Sequence, residues 1–141
     1  KDFGTHKNFG IEKCSKHWIF QIDADETLGR ALEENVHSLL LDNSEIELFL
    51  VPRVNIVNGI TQEDVKRWGW VQNEKGWNMW PDYQTRIFQN TKNIKWQGKV
   101  HERIVGFKTW SHLPEEEEWS LYHIKNIERQ RSQNELYRTI V

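Results

Sequence analysis

The sequence predicts an α/β domain, a mixed sheet flanked by helices. Three observations carry that expectation. The apolar run HWIFQI at residues 17–22 leads into three carboxylates, Asp23, Asp25 and Glu26, as a buried strand does when it delivers charge to a sheet edge. A stretch of helical period follows directly. After it come several extended segments with no intervening helix, and then a polar, amphipathic tail. At 141 residues the chain has enough length for one core, so residues 1–141 are expected to form a single domain.

Taken in order, residues 1–14 place Phe9, Ile11 and Cys14 among polar neighbours at loosely helical spacing, weakened by Gly10, and predict a short helix. Residues 17–22 combine β-branched and aromatic side chains over a length too short for a helix, and predict a buried strand. Leu28, Leu32, Val36, Leu39 and Leu40 then recur at helical spacing, with Asp25 or Thr27 as N-cap. Residues 46–57 are extended, and Pro52 within them demands a bend, a bulge or an edge position. Residues 58–81 hold turn residues, charges and four tryptophans, Trp68, Trp70, Trp77 and Trp80, without clean periodicity; an irregular loop is expected there. Residues 83–89, 94–105 and 119–124 read as further strands, with Trp18 and Trp119 assigned to the core. The four glutamates at 115–118 predict a solvated turn, and residues 125–141 a polar-rich helix.

Composition narrows the function classes. A net charge of −2 and a pI near 6.3 leave no global basic field, so no nucleic-acid partner is expected. Cys14 is the only cysteine, which excludes an intrachain disulfide and a cysteine-rich zinc site. No stretch approaches the ~20 apolar residues of a membrane span, and no signal-peptide pattern opens the chain, so a soluble, cytoplasmic protein is expected.

The acidic cluster is the chemical focus. Alternate carboxylates such as Asp23 and Asp25 can address one hard cation, and Mg²⁺ or Mn²⁺ takes one or two of them together with phosphate oxygens and water. A strand-end D-x-D therefore reads as a metal-diphosphate site. A plainer reading has Asp25 capping the helix and Asp23 ending the strand. A third is phosphatase chemistry: IFQIDADET matches the D-x-D-x-T string of haloacid-dehalogenase phosphatases, with Asp23 as nucleophile, Asp25 as acid/base and Thr27 as phosphate ligand.

The rest of the chain favours the metal-diphosphate reading. HWIFQIDADETL, followed by YQTRIFQN, IKWQGKVHERIVG and LYHIKNIERQRSQNELY in that order, resembles family 2 glycosyltransferases of the GT-A fold, notably those of lipopolysaccharide-core type. The resemblance implies a metal-dependent transfer, with inversion, of a sugar from a nucleotide-diphosphate donor to a saccharide or lipid-linked acceptor. It implies Mn²⁺ or Mg²⁺ bound by Asp25, Asp23 and His123, with Asp23 also near the donor ribose. Glu102 would be the general base, its basicity tuned by desolvation. His101, Arg86, Trp77, Trp80 and Trp96 would contact substrate.

Bland alternatives stand beside these roles. On a strand His101 and Glu102 would point to opposite faces, and Arg86 could form a salt bridge on a sheet surface. In the family a large nucleotide-binding part precedes the D-x-D strand, whereas 22 residues precede Asp23 here. The expectation is thus an N-terminally truncated GT-A-like core, prone to form a homo-oligomer through exposed sheet edges. A degenerate, non-catalytic module binding metal or glycan is the alternative of different class.

Overall fold

The structure, a computed structural model, describes residues 2–99 and 101–140. In chain order it forms α1 (Phe3–Glu12), β1 (Trp18–Phe20), β2 (Glu26–Leu28), α2 (Arg30–Asp42), β3 (Leu48–Val51), β4 (Arg53–Asn58), α3 (Gln62–Trp68), β5 (Gln84–Gln89), β6 (Lys95–Gln97), β7 (Arg103–Val105), β8 (Trp110–His112), a 3-10 turn (Glu117–Trp119), β9 (Leu121–Asn126) and α4 (Ile127–Ile140). The mixed α/β class matches the sequence expectation. Among the described residues no helix is long and apolar enough to cross a membrane.

One sheet has the order β1-β5-β3-β8, with β8 parallel to β3 and the other pairs antiparallel. Its interior strands are apolar at successive positions because both of its faces are covered. In β3, Phe49 and Val51 join Ile87 and the α2 residues Leu32 and Leu40 on one face. Leu48 joins Ile19, Phe88, Trp96 and Ile104 on the other, over which α1 and the β6–β7 hairpin lie. Helix α1 is fastened there by Asn8, whose amide donates to the Trp96 carbonyl and accepts from the Trp96 N–H, both at 2.8 Å.

A second sheet, β2-β9-β4, has β9 antiparallel to β2 and parallel to β4. The bend expected at Pro52 is where the chain leaves the first sheet for the second. Proline offers no N–H to the ladder, and Pro52 is fully buried at the junction of β3 and β4.

Several boundaries differ from the sequence reading. The helix expected from Asp25 or Thr27 starts at Arg30, with Gly29 as N-cap, because residues 26–28 are drawn into pairing with β9. Strand β1 ends at Phe20, and Ile22 is 41% exposed, so the apolar run is not buried to its end. The stretch expected to be irregular contains α3, held by a Thr61–Asp64 capping box and closed by Gly69 in the left-handed conformation. Residues 94–105 form two strands and a turn rather than one strand. Trp119 lies in the 3-10 turn, yet packs half-buried against the α2-side core as Trp18 does.

Gly106 follows β7 at the open end of the β6–β7 hairpin with φ +89, and a Cβ there would sit 1.7 Å from the Asn93 carbonyl oxygen. Gly76 has a similar φ of +79 but open space around it. Gly106→Ala is therefore expected to cost more than Gly76→Ala in urea unfolding, beyond the roughly 1–3 kcal/mol of backbone strain that both share. Equal losses would show that the hairpin accommodates the methyl group.

Candidate active site

Beyond β1, the Gln21 N–H donates to the Arg86 carbonyl at 2.8 Å, and the chain then turns sharply from Asp23 to Glu26. The Glu26 N–H donates to the Asp23 carbonyl, and Glu26 Oε2 accepts from the Asp23 N–H, each at 3.0 Å. This turn points Glu26 inward, where its side chain is wholly buried. Arg86 of β5, 5% exposed, donates through Nη2 to Glu26 Oε1 and to Asp23 Oδ2, each at 2.7 Å. Arg53 of β4 reaches the same Glu26 oxygen at 3.0 Å and Asp82 Oδ2 at 2.8 Å. Burial works to raise the Glu26 carboxyl, but the Arg86 charge and the hydrogen bonds from Asp23, Arg86 and Arg53 hold it below the ordinary glutamate value. Arg86 thus makes a buried bridge between the two sheets, not one on a sheet surface.

Above this network opens a cleft of about 860 Å³. Seven of the nine candidates line it: Asp23, Asp25, Arg86, Trp96, His101, Glu102 and His123. Five cationic side chains, Lys7, Arg53, Arg86, Lys125 and Arg129, face three carboxylates across it, a surplus suited to an anionic ligand in an otherwise acidic chain.

On one wall His123 Nε2 stands 3.1 Å from Asp25 Oδ2, and Arg129 Nη2 is 2.9 Å from the same oxygen. The Asn55 amide nitrogen is committed to Asp82 and to the Asn78 carbonyl, so its Oδ1 accepts from His123 Nδ1 at 3.2 Å. Burial, with the charges of Lys125 and Arg53, pushes the imidazole below its ordinary value despite Asp25, and keeps it neutral at pH 7. A neutral ring with its proton on Nδ1 turns the Nε2 lone pair towards Asp25. Two acceptors then face one point, and a cation relieves them. Burial raises the Asp25 carboxyl, but in the acid range, where His123 carries its second proton, the hydrogen bond and charge of that ring, together with the Arg129 charge, outweigh burial and lower the carboxyl below its ordinary value. A divalent ion held by this carboxylate and imidazole would take its other ligands from phosphate and water. Asp23, expected as a third ligand, is turned to Arg86 instead. Among the described residues no group of three or more His, Cys, Asp or Glu side chains converges on one point.

On the opposite wall Glu102 and His101 both line the cleft because they sit in the β6–β7 turn, where strand alternation does not apply; His101 has φ +56. Lys7 Nζ donates to Glu102 and also lies 4.1 Å from the centroid of the Trp96 ring. Burial raises the Glu102 carboxyl, as the sequence reading supposed, but the Lys7 hydrogen bond and charge win and lower it. Trp96 is 6% exposed, so it walls the cleft rather than offering an open platform.

Trp77 and Trp80 do not reach the cleft. The loop after α3 folds back on itself through the Met79 N–H bond to the Val71 carbonyl, burying Trp77 to 7% exposure edge-on to Trp80 with centroids 5.0 Å apart. The sequence reading also missed Arg53, Lys125, Arg129 and Lys7. For Lys125 a signal existed: it stands two residues beyond His123 on β9, and period 2 puts both on one face.

Comparison with known proteins adds a partial likeness. No family model matches the chain. Over 68 residues it is 40% identical to the lipopolysaccharide core biosynthesis glycosyltransferase LpsC of Rhizobium meliloti. That stretch is 47% of this chain and 25% of the relative, so the likeness spans about a quarter of the length of the protein it matches. The similarity is to a glycosyltransferase, over part of each chain.

The buried network sets the acid response. Because Glu26 is lowered in the folded chain, the unfolded state binds more protons as pH falls; the stabilisation is complete above about 4.3, the ordinary value, and is lost through the lower folded value. Melting temperature should accordingly drop below about pH 4.3, with a shallower drop in Glu26→Gln. Arg86→Met leaves Glu26 buried with Arg53 alone and is expected to cost about 3 kcal/mol in urea unfolding. A cost under about 1 kcal/mol would show that Arg53 suffices.

Proposed function

We propose that the chain carries the reaction cleft of a GT-A-like glycosyltransferase. In this reading it moves a sugar from a nucleotide-diphosphate donor to a hydroxyl of a saccharide or lipid-linked acceptor. The observation that carries it is the pairing of Asp25 with His123, 3.1 Å apart, beside Arg53, Lys125 and Arg129 and across one cleft from Glu102. The partial similarity to a glycosyltransferase supports the same reading.

Lys125 and Arg129 neutralise the donor diphosphate, and Arg86 holds Asp23 so that its outer oxygen, on a side chain 48% exposed, accepts from a donor hydroxyl. Asp25 and His123 would hold Mn²⁺ or Mg²⁺, which when bound stabilises the charge on the departing diphosphate. Glu102, kept ionised by Lys7, takes the proton of the acceptor hydroxyl as that oxygen attacks the anomeric carbon and the carbon–oxygen bond to the diphosphate breaks. One displacement of this kind inverts the configuration.

One observation favours a second reading, the non-catalytic metal- or glycan-binding module: the Lys7 pairing makes Glu102 a weaker base. The phosphatase reading is disfavoured, since Asp23 is engaged by Arg86 and Thr27 stands in β2 opposite Tyr122, outside the cleft lining.

Thermal shift with UDP-, GDP- and CMP-sugars, with and without Mn²⁺, separates these readings. The transferase is expected to be stabilised only by metal and one donor together, and Asp25→Ala to abolish the effect. Glu102→Gln should keep that shift while losing about 10²–10⁴-fold of transfer in a radiolabelled-sugar assay. Stabilisation by metal with no nucleotide effect supports the module instead. Trapping of Asp23 by beryllofluoride would revive the phosphatase.

A further inference from the structure

The cleft does not end at His123. A side pocket of about 250 Å³ opens beside it, sharing Arg53, His123, Lys125, Gln133 and Tyr137 with the cleft. The rest of its lining includes the amides of Asn55, Asn78 and Gln130, and the indole of Trp70. These amides bond within the chain, Asn55 to Asp82 and His123, Asn78 to Gln72 and Asn55, and Gln130 to Lys125 and Asn134, and make a polar floor. The Trp70 indole face, which packs against C–H groups, is what suits a sugar ring. The volume lies under the roughly 300 Å³ at which drug-sized sites begin, which favours one sugar unit over a nucleotide.

Trp70 and Tyr137 continue out of this pocket into a shallow groove of about 340 Å³ between α3 and α4. Trp68, Asn134, Arg67 and Arg138 complete the groove. The Trp68 and Trp70 rings stand with centroids 4.9 Å apart and form a paired aromatic wall. Among the described residues two guanidinium groups and no carboxylate line it. Arg67 pairs with Glu63 along α3, but the two side chains are 62% and 81% exposed, so the contact yields readily to a ligand anion. Arg131, six residues before Tyr137 on α4, is committed to Asp64.

From this juxtaposition we infer that the side pocket and the groove form one oligosaccharide-binding site leading away from the cleft. The saccharide it takes carries negative charge, as carboxylate or phosphate, on the units that reach Arg67 and Arg138. Naming this saccharide the acceptor rests on the glycosyl-transfer reading; the site itself does not.

The test follows the indole N–H signals of Trp68 and Trp70 in ¹H–¹⁵N spectra of the full chain. Trigalacturonic acid is titrated in, and in parallel its neutral counterpart galactotriose. Both are expected to move the Trp70 signal, with the acidic sugar bound about fivefold more tightly. Arg67→Gln combined with Arg138→Gln should remove that preference and leave the neutral sugar within about twofold, as should ionic strength near about 1 M. Trp70→Ala is expected to lose both sugars, and if it fails to fold the double arginine variant still decides the point. Equal affinity for the two sugars overturns the inference. So do unmoved indole signals, or signals that move only with vesicles of an anionic phospholipid. UDP with Mn²⁺, titrated in the same way, reports on the cleft through Trp96. Sugar binding without that nucleotide response would sink the transferase reading and leave this one standing. The reverse result sinks this one alone.

Discussion

The ion pair between Glu26 and Arg86 is the constraint on which the rest of the site depends. A carboxylate with no exposed surface is costly to bury, and the cost is offset only where guanidinium groups meet it with good geometry. Arg86 and Arg53 supply that geometry from two different sheets. Replacing such a pair with apolar residues is often neutral for stability, so its contribution here is positional. It fixes the turn from Asp23 to Glu26, and with it the direction in which Asp23 and Asp25 leave the backbone.

From that turn the electrostatics of the cleft follow. Asp23 is turned to Arg86, while Asp25 meets His123, whose ring is oriented by Asn55. The two aspartates of the D-x-D string therefore do different work, although their spacing suggests a common ligand. Lys125 and Arg129 crowd the Asp25 side with positive charge, and burial, with Arg53 and Arg129, lowers the Lys125 ammonium against the pull of Asp25. Across the cleft Lys7 does for Glu102 what Arg86 does for Glu26, in a more exposed setting. Asp25 and Glu102 in the cleft, like Glu26 beneath it, are lowered from the ordinary carboxylate value by named neighbours.

The parts legible in the sequence were those with local signals. The apolar run into Asp23, the leucine spacing of α2 and the break at Pro52 each rest on neighbouring residues, and each marks a real feature. Strand β2 was not legible, because Glu26–Leu28 is extended only through β9, far downstream. Helix α3 did leave a signal, the Thr61–Asp64 box and Gly69, but the surrounding tryptophans obscured its period. Which tryptophans meet the cleft depended on a tertiary fold-back involving Val71 and Met79, and no spacing rule reports that. His101 and Glu102 share the cleft because Gly98 and His101 turn the chain with positive φ, and a strand reading hides this.

Crystals grown with Mn²⁺ and uridine diphosphate, with anomalous diffraction at the manganese edge, test the central claim most directly. The expected result is a manganese peak coordinated by Asp25 and His123 Nε2, with phosphate oxygens beside Lys125 and Arg86 still holding Glu26 and Asp23. A manganese ion on other side chains, or a nucleotide seated outside the cleft, would contradict it.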